Sequence, residues 1–518
     1  MLDYDLLLID PPLSYFNEKS DDVSSLLEIQ EAPYVTFNPG LLSIGSYIMD
    51  KGYTVKLKHI IDDKTVDEKL NEIYKWGTPR VIGISCSYFQ TYDTVLYLCD
   101  ELGKRFNDSI IFVGGQHIGN IPGYAFTDSK SIDFVSIGEG ENSTLRFLDF
   151  FVNGKGSIGE IKGIAFSERF MNRGYDIDYA AFEKCEIIDF IDDTKNQVIV
   201  LDNVYISKEP YIPIDLDEMP FLKYDLYENH LTYPCYIEES RGCYGQCRYC
   251  VAPVHKNFRY KSAKRFLEEL DYVVSIYGIE NNYPFLASNF GVDVENTIEI
   301  FNGILEKYGT KLRWNAEFRV DLKWEKYIDL MYKAGCRGFN IGMDSPSCEI
   351  LSIMNKCGNT TDYLKKNTSL IEHIAKYKDA AICINMMFYV DESPVSLVNA
   401  IDFISKNYNF ISAVHYSPTN LYYGTEVWKN FNEYNKKYGT RIVKSPYFDR
   451  VHVYPIHPSK YFSNNEANYW CRIIEKLFSE KKLFAEYHTN RITRDENGHF
   501  FKEDKINMSK MYYNNKVD

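Results

Sequence analysis

The sequence predicts an α/β protein with an N-terminal doubly wound parallel sheet, a partial (β/α)6 barrel and a small mixed C-terminal region. Two observations lead to this prediction. Short apolar runs alternate with helical patterns over residues 1–150, and six further strand–helix units follow between 235 and 416. Short apolar strands separated by helices are typical of parallel sheets covered on both faces. The 518 residues have room for roughly two to four domains.

The first 150 residues contain five apolar runs that we interpret as strands. They lie at 6–9, 55–57, 81–84, 110–113 and 134–137. Helical patterns separate them, among them 41–51 and 94–106. Several of these strands run into loops rich in glycine or proline. In open α/β sheets, loops at the carboxyl ends of the strands form the ligand crevice.

A second alternation of strands and helices begins near residue 235. The predicted strands are 235–238, 284–287, 312–316, 338–342, 382–388 and 411–416, and the predicted helices are 263–277, 294–307, 324–334, 362–377 and 395–406. Six units make an incomplete version of the eight-unit barrel, in which functional residues lie at the carboxyl ends of the strands.

The pattern divides the chain into four segments. Residues 1–155 form a Rossmann-like domain, 156–232 a proline-dotted connector, 233–430 the partial barrel and 431–518 a C-terminal substrate or capping region. In the last segment Ser463 and Glu466 have capping-box spacing before a helix at 466–478, and Asn497-Gly498 predicts a hairpin turn.

Composition excludes several classes of protein. A net charge of −15 argues against a broad nucleic-acid surface, which needs lysine and arginine to replace phosphate counterions. No apolar run reaches the roughly 18 residues of a membrane helix. The acidic start lacks the basic region of a signal peptide, so we expect a cytoplasmic protein without a membrane partner.

Three of the twelve cysteines are grouped within eight residues. Cys243, Cys247 and Cys250 have C-x3-C-x2-C spacing in a loop directly after the first barrel strand. Three thiolates on one loop can hold three corners of a [4Fe–4S] cube and leave the fourth iron open to a small chelating molecule. A structural zinc site is the alternative, and it would need a fourth ligand, for which Cys235 is the candidate.

This cysteine motif, with the aromatic Tyr249 before its last cysteine, resembles the radical S-adenosylmethionine (SAM) superfamily. The preceding α/β domain resembles the cobalamin-binding domain of its B12-dependent branch, so the expected cofactors are a [4Fe–4S] cluster, SAM and cobalamin. The resemblance extends from about residue 1 to about residue 430.

The resemblance also implies a SAM site. The segment 314–321 resembles the third-strand segment whose arginine, here Arg319, pairs with the SAM carboxylate through a bidentate contact. Asp344 and Ser345 stand where the family usually has Glu-Ser for the SAM ribose, with an aspartate one methylene shorter. The SAM site that the resemblance implies consists of Tyr249, Glu317, Arg319, Asp344, Ser345 and Asn385.

Three N-terminal loops resemble the corrinoid side of the branch, where glycine allows close backbone approach. The residues assigned to cobalamin are Pro39, Gly40, Ser85, Gly114, Gly115, His117, Gly138, Glu139 and Gly140. The chain has no Asp-x-His-x-x-Gly, so His117 is interpreted as a loop-capping histidine and not as a cobalt ligand.

The resemblance implies an enzyme that generates a 5′-deoxyadenosyl radical and methylates an unactivated carbon of a peptide or natural product. A flavodoxin or ferredoxin would supply the electron. Two alternatives remain: a peptide maturase or rearrangement enzyme with a degenerate cobalamin domain, and a corrinoid or iron–sulfur sensor. The Arg319 and Asp344 segments argue against the sensor. No catalytic residue is assigned.

Overall fold

The structure is a computed structural model that describes residues 4–12, 37–61, 65–185, 204–251, 258–377 and 379–478. The described residues up to 230 form one compact unit, and those from 231 onward form a second. Within these ranges, none of the helices is long and apolar enough to cross a bilayer.

The first unit is built on an eight-stranded sheet of order β2-β1-β3-β4-β5-β6-β8-β7. Its five predicted strands are confirmed as β1 (Tyr4–Asp10), β2 (Val55–His59), β3 (Pro79–Ser85), β4 (Ile110–Gly114) and β5 (Phe134–Ser136), all mutually parallel. Its helices are α1 (Pro39–Asp50), α2 (Val66–Lys75), α3 (Tyr92–Arg105), α4 (Pro122–Asp128), α5 (Gly140–Phe151) and α6 (Glu168–Met171).

The strand order of this sheet determines where a ligand can bind. β1 is apolar without alternation because both faces of the sheet are covered, and Leu6–Ile9 are fully buried. The chain first adds β2 on one side of β1 and then returns to add β3 on the other side. The order therefore reverses between β1 and β3, and ligands of open α/β sheets bind at the strand carboxyl ends beside such a reversal.

The segment 156–232, predicted as a connector, contains more regular structure than its sequence pattern indicates. Residues 164–207 contribute β6 (Ile164–Ser167), β7 (Phe182–Cys185) and β8 (Val204–Ser207), which extend the first sheet with antiparallel pairing. Strands of four residues between irregular segments are too short to give a periodic signal. The whole described segment up to 230 belongs to the first unit.

The second unit contains a six-stranded, all-parallel sheet whose strand order follows the chain order, as in a barrel wound in one direction. The strands are β9 (Ile237–Glu238), β12 (Asn282–Leu286), β13 (Arg313–Phe318), β14 (Cys336–Asp344), β15 (Ala381–Phe388) and β16 (Ala413–Pro418). The helices are α7 (Ala263–Tyr277), α8 (Val294–Tyr308), α9 (Ile328–Lys333), α10 (Cys348–Met354), α11 (Thr360–Ile374) and α12 (Pro394–Asn407). A short ladder of β10 (Ser240–Arg241) with β11 (Arg259–Tyr260) lies between β9 and α7.

The C-terminal region contains more structure than its one predicted helix. That helix is confirmed as α16 (Asn464–Lys476), and Ser463 and Glu466 form the predicted capping box. Before it lie three short strands and three short helices: β17 (Asn420–Tyr422), β18 (Arg441–Ile442), β19 (Val453–His457), α13 (Glu426–Lys429), α14 (Phe431–Tyr438) and α15 (Pro446–Val451). The predicted hairpin at 496–498 lies outside the described residues.

Candidate functional site

The cysteine motif occupies the loop enclosed by the β10–β11 ladder, beside the first strand of the barrel sheet. Cys247 is buried, whereas Cys243 and Cys250 are partly exposed. The backbone N–H of Gly245 donates to Sγ of Cys243 at 3.3 Å. Such N–H donors stabilise negative charge on sulfur, as iron–sulfur ligation requires.

The thiols do not converge on one point. In the described ranges, no three His, Cys, Asp or Glu side chains are grouped closely enough to hold a metal ion. A zinc ion draws all its ligands to one atom, whereas a [4Fe–4S] cube takes each thiolate on a different iron.

Arg319, at the carboxyl end of β13, connects that strand to the cysteine loop. Its Nε and Nη2 donate to the two carboxylate oxygens of Asp321 at 2.9 and 2.8 Å. Nη1 lies 3.6 Å from Sγ of Cys247, and Nη2 also donates to the carbonyl of Lys356. The cation thus lies beside a thiolate of the motif. Its contact with a SAM carboxylate stays a prediction, because Asp321 already takes the bidentate face of the guanidinium.

A buried ion pair lies at the carboxyl end of β14. Oδ2 of Asp344 accepts from Lys356 Nζ at 2.8 Å and from the Tyr249 hydroxyl at 2.5 Å. Asp344 has φ of +68° at a register shift between β14 and β15, a conformation that is rare outside glycine. The structure therefore joins Tyr249, from the cysteine loop, to Asp344, as expected if both belong to one site.

The inner face of the barrel sheet is polar. On β13 the buried residues alternate with Asn315 and Glu317, and on β15 Asn385 lies in register with His415 of β16. Asn385 Nδ2 donates to Glu317 Oε1 at 3.2 Å. The side chain of Glu317 is accessible on this face, but desolvation by the surrounding protein still raises its pKa, and Lys356 partly opposes that shift. The structure thus brings the predicted residues Glu317 and Asn385 together on this face. Ser345 lies nearby in sequence, where its hydroxyl accepts from the N–H of Ser347 at 3.2 Å.

The surroundings of the cysteine loop include several unsatisfied polar atoms, and one of them lies beside Tyr249. The hydroxyl of Tyr389 is buried and has no hydrogen-bond partner among the described residues. Its ring lies 5.8 Å from that of Tyr249. Buried hydroxyls are normally hydrogen-bonded, so an orphan beside Tyr249 fits a polar ligand such as SAM at this place.

In the first unit, a polar network lies at the reversal between β1 and β3. Asn38 Nδ2 donates to Asp10 Oδ1 at 3.1 Å and to Ser85 Oγ at 2.9 Å. The Tyr227 hydroxyl donates to Asp10 Oδ2 at 2.9 Å, and His59 lies 3.7 Å from the same oxygen. Burial raises the pKa of Asp10 and lowers that of His59. The predicted residue Ser85 is thus part of the polar network at this reversal of strand order.

The predicted glycine loops lie at this edge, but two of their glycines are required by the protein itself. A Cβ on Gly115 would lie 2.7 Å from the backbone carbon of Cys86, and one on Gly138 would lie 2.2 Å from the Tyr211 ring. Close packing therefore explains both positions. The other residues assigned to these loops are at element ends: Pro39 and Gly40 begin α1, Gly114 ends β4, Glu139 precedes α5 and Gly140 begins it.

His117 is buried and does not cap the turn that follows it with its side chain. Its ring packs edge-on against Tyr92, with centroids 5.5 Å apart, and against Phe89 at 6.5 Å. The ring is part of an aromatic cluster, and any role of His117 toward cobalamin stays a prediction.

Four residues of these sites were not assigned from the sequence. Asp10 is the last residue of β1, and Asn38 directly precedes α1. Ligand groups are expected at the carboxyl ends of strands in open sheets. Asp321 and Lys356 contact Arg319 and Asp344. The backbone carbonyl of Lys356 accepts a hydrogen bond from the guanidinium of Arg319, which lies 37 residues away in the sequence. No local sequence pattern indicates such a contact.

Two family models match the chain. The B12 binding domain matches residues 28–148, and the radical SAM superfamily matches 237–404. The chain therefore contains a B12-binding domain followed by a radical SAM domain. These two domains agree with the expected cofactors, a [4Fe–4S] cluster, SAM and cobalamin.

Several known proteins are similar to this chain over much or part of its length. An uncharacterized methyltransferase of Pyrococcus horikoshii is 24% identical over 400 residues, 75% of this chain and 77% of its own. The bacteriochlorophyllide d C-12(1)-methyltransferase of Chlorobaculum tepidum is 27% identical over 33% of this chain and 37% of its own. The radical SAM methyltransferase TsrM of Kitasatospora setae, solved with cobalamin and a [4Fe–4S] cluster, has a TM-score of 0.63 at 15% identity over 96% of this chain and 83% of its own. That last likeness confirms the fold.

Proposed function

We propose that this protein is a cobalamin-dependent radical SAM methyltransferase that adds a methyl group to an unactivated carbon of a peptide or natural product. The observation that carries the proposal is the cysteine loop, with Cys247 3.6 Å from Arg319 and Tyr249 bonded to Asp344 at the end of β14. The three relatives described above are all named as methyltransferases, and one of them acts on a pigment.

When bound, the cluster with SAM supplies a 5′-deoxyadenosyl radical, and cobalamin supplies a transferable methyl group. The roles of the chain itself are to bind, orient and exclude water. Cys243, Cys247 and Cys250 would hold three irons, and the Arg319 cation beside Cys247 offsets their negative charge. Asp344, fixed by Lys356, offers a carboxylate for the ribose hydroxyls of SAM.

The inner face of the barrel sheet supports a substrate with hydrogen-bonding groups. Glu317, Asn385 and His415 present a carboxylate, an amide and an imidazole on β13, β15 and β16 of one sheet, in which β14 lies between β13 and β15. A lumen lined with such groups rejects a purely apolar substrate, which would leave them unpaired. The crevice in the first unit, around Asp10, Asn38 and Ser85, would hold part of the cobalamin.

The proposal is tested by replacing Cys243, Cys247 and Cys250 together with alanine. We expect the variant to lose its iron and to form no 5′-deoxyadenosine from SAM, while the wild type does both after anaerobic reconstitution. Cys348→Ala is the matched control, because this partly exposed cysteine lies in the same unit outside the loop. Cleavage of SAM by the triple variant would overturn the proposal.

Cobalamin separates this proposal from the alternative of a maturase or rearrangement enzyme with a degenerate domain. Close packing within the protein accounts for a glycine in two of these loops, at Gly115 and Gly138. This observation favours the alternative. We expect protein reconstituted with hydroxocobalamin to retain about one corrinoid per chain, since one crevice is present. A cobalt-free protein that still cleaves SAM would support the alternative.

A further inference from the structure

One residue between two cysteines of the motif contacts the ends of two helices. Arg248 follows Cys247, and residues 243–250 of this loop belong to no helix or strand. The backbone N–H of Arg248 donates to the carbonyl of Met354 at 2.9 Å, and its carbonyl accepts from the N–H of Val427 at 3.4 Å. Met354 ends α10, and Val427 lies in the first turn of α13. The proposed function gives Arg248 no role.

The guanidinium of Arg248 contacts the same two helices. Its Nη1 donates to the carbonyl of Ile353 at 3.2 Å, and its Nε lies 3.6 Å from Oε2 of Glu426. The last carbonyls and the first N–H groups of a helix have no partners within that helix, so they need partners from outside. Arg248 supplies such partners to two carbonyls of α10 and to one N–H of α13, which fixes the loop against both.

The carboxylate of Glu426 is itself held in place. Its Oε2 accepts from the Tyr434 hydroxyl at 2.8 Å, and its Oε1 accepts from Nδ2 of Asn430 at 3.1 Å. The side chains of Arg248 and Glu426 are 40% and 41% exposed, so solvent screens their ion pair and the charge alone contributes little. The contact is instead directional, because the planar guanidinium reaches a carbonyl and a carboxylate at once.

The α10 side of these contacts leads to the carboxylate proposed for SAM. Asn355, which ends α10 in a left-handed conformation, donates from Nδ2 to the carbonyl of Gln246 at 2.9 Å. The next residue is Lys356, whose Nζ lies 2.8 Å from Oδ2 of Asp344. A shift of the cysteine loop relative to the end of α10 would therefore also shift the loop relative to Asp344.

We propose that Arg248 is a positioning residue for the binding and cleavage of SAM, and that it acts together with Glu426. This inference rests on the proposed function, because it concerns the same site. Arg248 fixes the backbone between Cys247 and Cys250, so the thiolates and Asp344 keep one relative orientation. A loop that is ordered before binding loses less freedom when it binds a ligand, and the affinity is higher for that reason.

The test compares Arg248→Met with Arg313→Met. Methionine keeps an unbranched side chain and removes the guanidinium. Arg313 is the matched control, because its Nη1 also donates to two backbone carbonyls, those of Thr310 at 2.6 Å and Leu312 at 3.0 Å. It is the first residue of β13, whereas Arg319 and the cysteine loop lie at the other end of that strand.

The first measurement is amide hydrogen exchange in metal-free protein, read from peptides that cover residues 243–250. We expect exchange there to be roughly tenfold faster in Arg248→Met, because the loop opens more often without the guanidinium contacts. Arg313→Met should exchange like the wild type in the same peptides. No cluster or substrate is needed for this comparison.

The second measurement is equilibrium dialysis of labelled SAM against cluster-loaded protein. We expect Arg248→Met to retain about four irons per chain and to bind SAM roughly fivefold more weakly. Glu426→Gln should lose less, and adding it to Arg248→Met should cause no further loss, since its partner is already gone. Arg313→Met should bind SAM like the wild type.

Wild-type exchange in Arg248→Met would overturn the proposal and leave the proposed function standing. Faster exchange with unchanged SAM affinity would also overturn it, because Arg248 would then serve only the fold of the loop. If circular dichroism shows that Arg248→Met does not fold, Arg248→Lys replaces it in both measurements with smaller expected effects, since lysine lacks the planar fork. A wild-type protein that assembles no cluster would overturn both proposals.

Discussion

At the scale of single residues, Asp344 joins the cysteine loop to the carboxyl end of β14. It has a positive φ, and its carboxylate accepts from both Tyr249 and Lys356. A strained backbone position persists only when surrounding contacts determine it, and such positions are concentrated at functional sites. The shorter aspartate in place of the common glutamate is therefore accommodated by partners from the cysteine loop and from the segment after α10.

Lys356→Met is the sharpest test of this arrangement. The substitution removes the ammonium group and leaves Asp344 buried beside Tyr249 alone, so the carboxylate loses its fixed orientation. We expect SAM affinity to fall at least tenfold, equivalent to about 1.4 kcal/mol. Equilibrium dialysis of labelled SAM against cluster-loaded protein measures it.

Lys366→Met is the matched control, because Lys366 forms a partly exposed pair with Asp362 on α11. It should bind SAM like the wild type. Equal affinities for the two variants would show that Lys356 stabilises the fold without contributing to the SAM site.

Glu392 gives a prediction about pH. Its carboxylate is buried next to Ser396, and burial raises its pKa from 4.5 to about 7. Between these two values the folded protein binds more protons than the unfolded chain, so the free energy of unfolding falls as pH rises. The stabilisation is complete below pH 4.5 and is lost as pH passes through 7.

Glu392→Gln should remove this dependence, because the amide stays neutral and still accepts from Ser396. Relative to the wild type, we expect the variant to gain roughly 2–3 kcal/mol between pH 5 and pH 8 in chemical denaturation. Glu466→Gln is a control of opposite sign: its backbone hydrogen bond from Ser463 lowers the pKa of Glu466, so any stabilisation there is lost as pH falls. An unchanged pH dependence in Glu392→Gln would contradict the assignment.

At the scale of elements, the junction of β3 and β4 determines what the glycine loops do. Gly115 has φ of +118°, and a Cβ there would lie 2.7–2.8 Å from backbone atoms of Cys86 and Ser87. Backbone atoms at a strand end cannot move aside as a flexible side chain can. The glycine is therefore required by the sheet whether or not cobalamin is present.

Gly115→Ala should destabilise cobalamin-free protein by roughly 2–4 kcal/mol, measured by denaturant unfolding. Gly174→Ala is the control, since Gly174 also has a positive φ, +79°, but has open space around its Cβ position. It should cost about 1 kcal/mol from backbone strain alone. If both variants were equally stable and Gly115→Ala only failed to bind cobalamin, the glycine would serve the corrinoid instead.

The parallel elements were predictable because each carries its own signal. The core strands of both units are apolar runs separated by helices, most of which have ten to fifteen residues, and α7 lies at the residues that its pattern predicts. The antiparallel β6, β7 and β8 were missed because four-residue strands depend on their neighbours for pairing. The short strands of the C-terminal region were missed for the same reason.

At the scale of the whole molecule, each unit presents polar groups at the carboxyl ends of its parallel strands. The cysteine loop could be predicted from spacing alone, because three thiolates within eight residues need no tertiary information. The partners of Asp10 and Asp344 could not. Tyr227 is 217 residues from Asp10 in the sequence, and Tyr249 is 95 residues from Asp344. Such contacts exist only after the strands are brought together.

The central claim is that the cysteine loop holds a cluster with one iron left open for SAM. Electron paramagnetic resonance of the anaerobically reconstituted, reduced protein, recorded with and without SAM, tests it most directly. The account predicts about four irons per chain and a spectrum that changes when SAM coordinates the open iron. A protein that binds one zinc through Cys243, Cys247, Cys250 and a fourth ligand, with no iron signal, would contradict it.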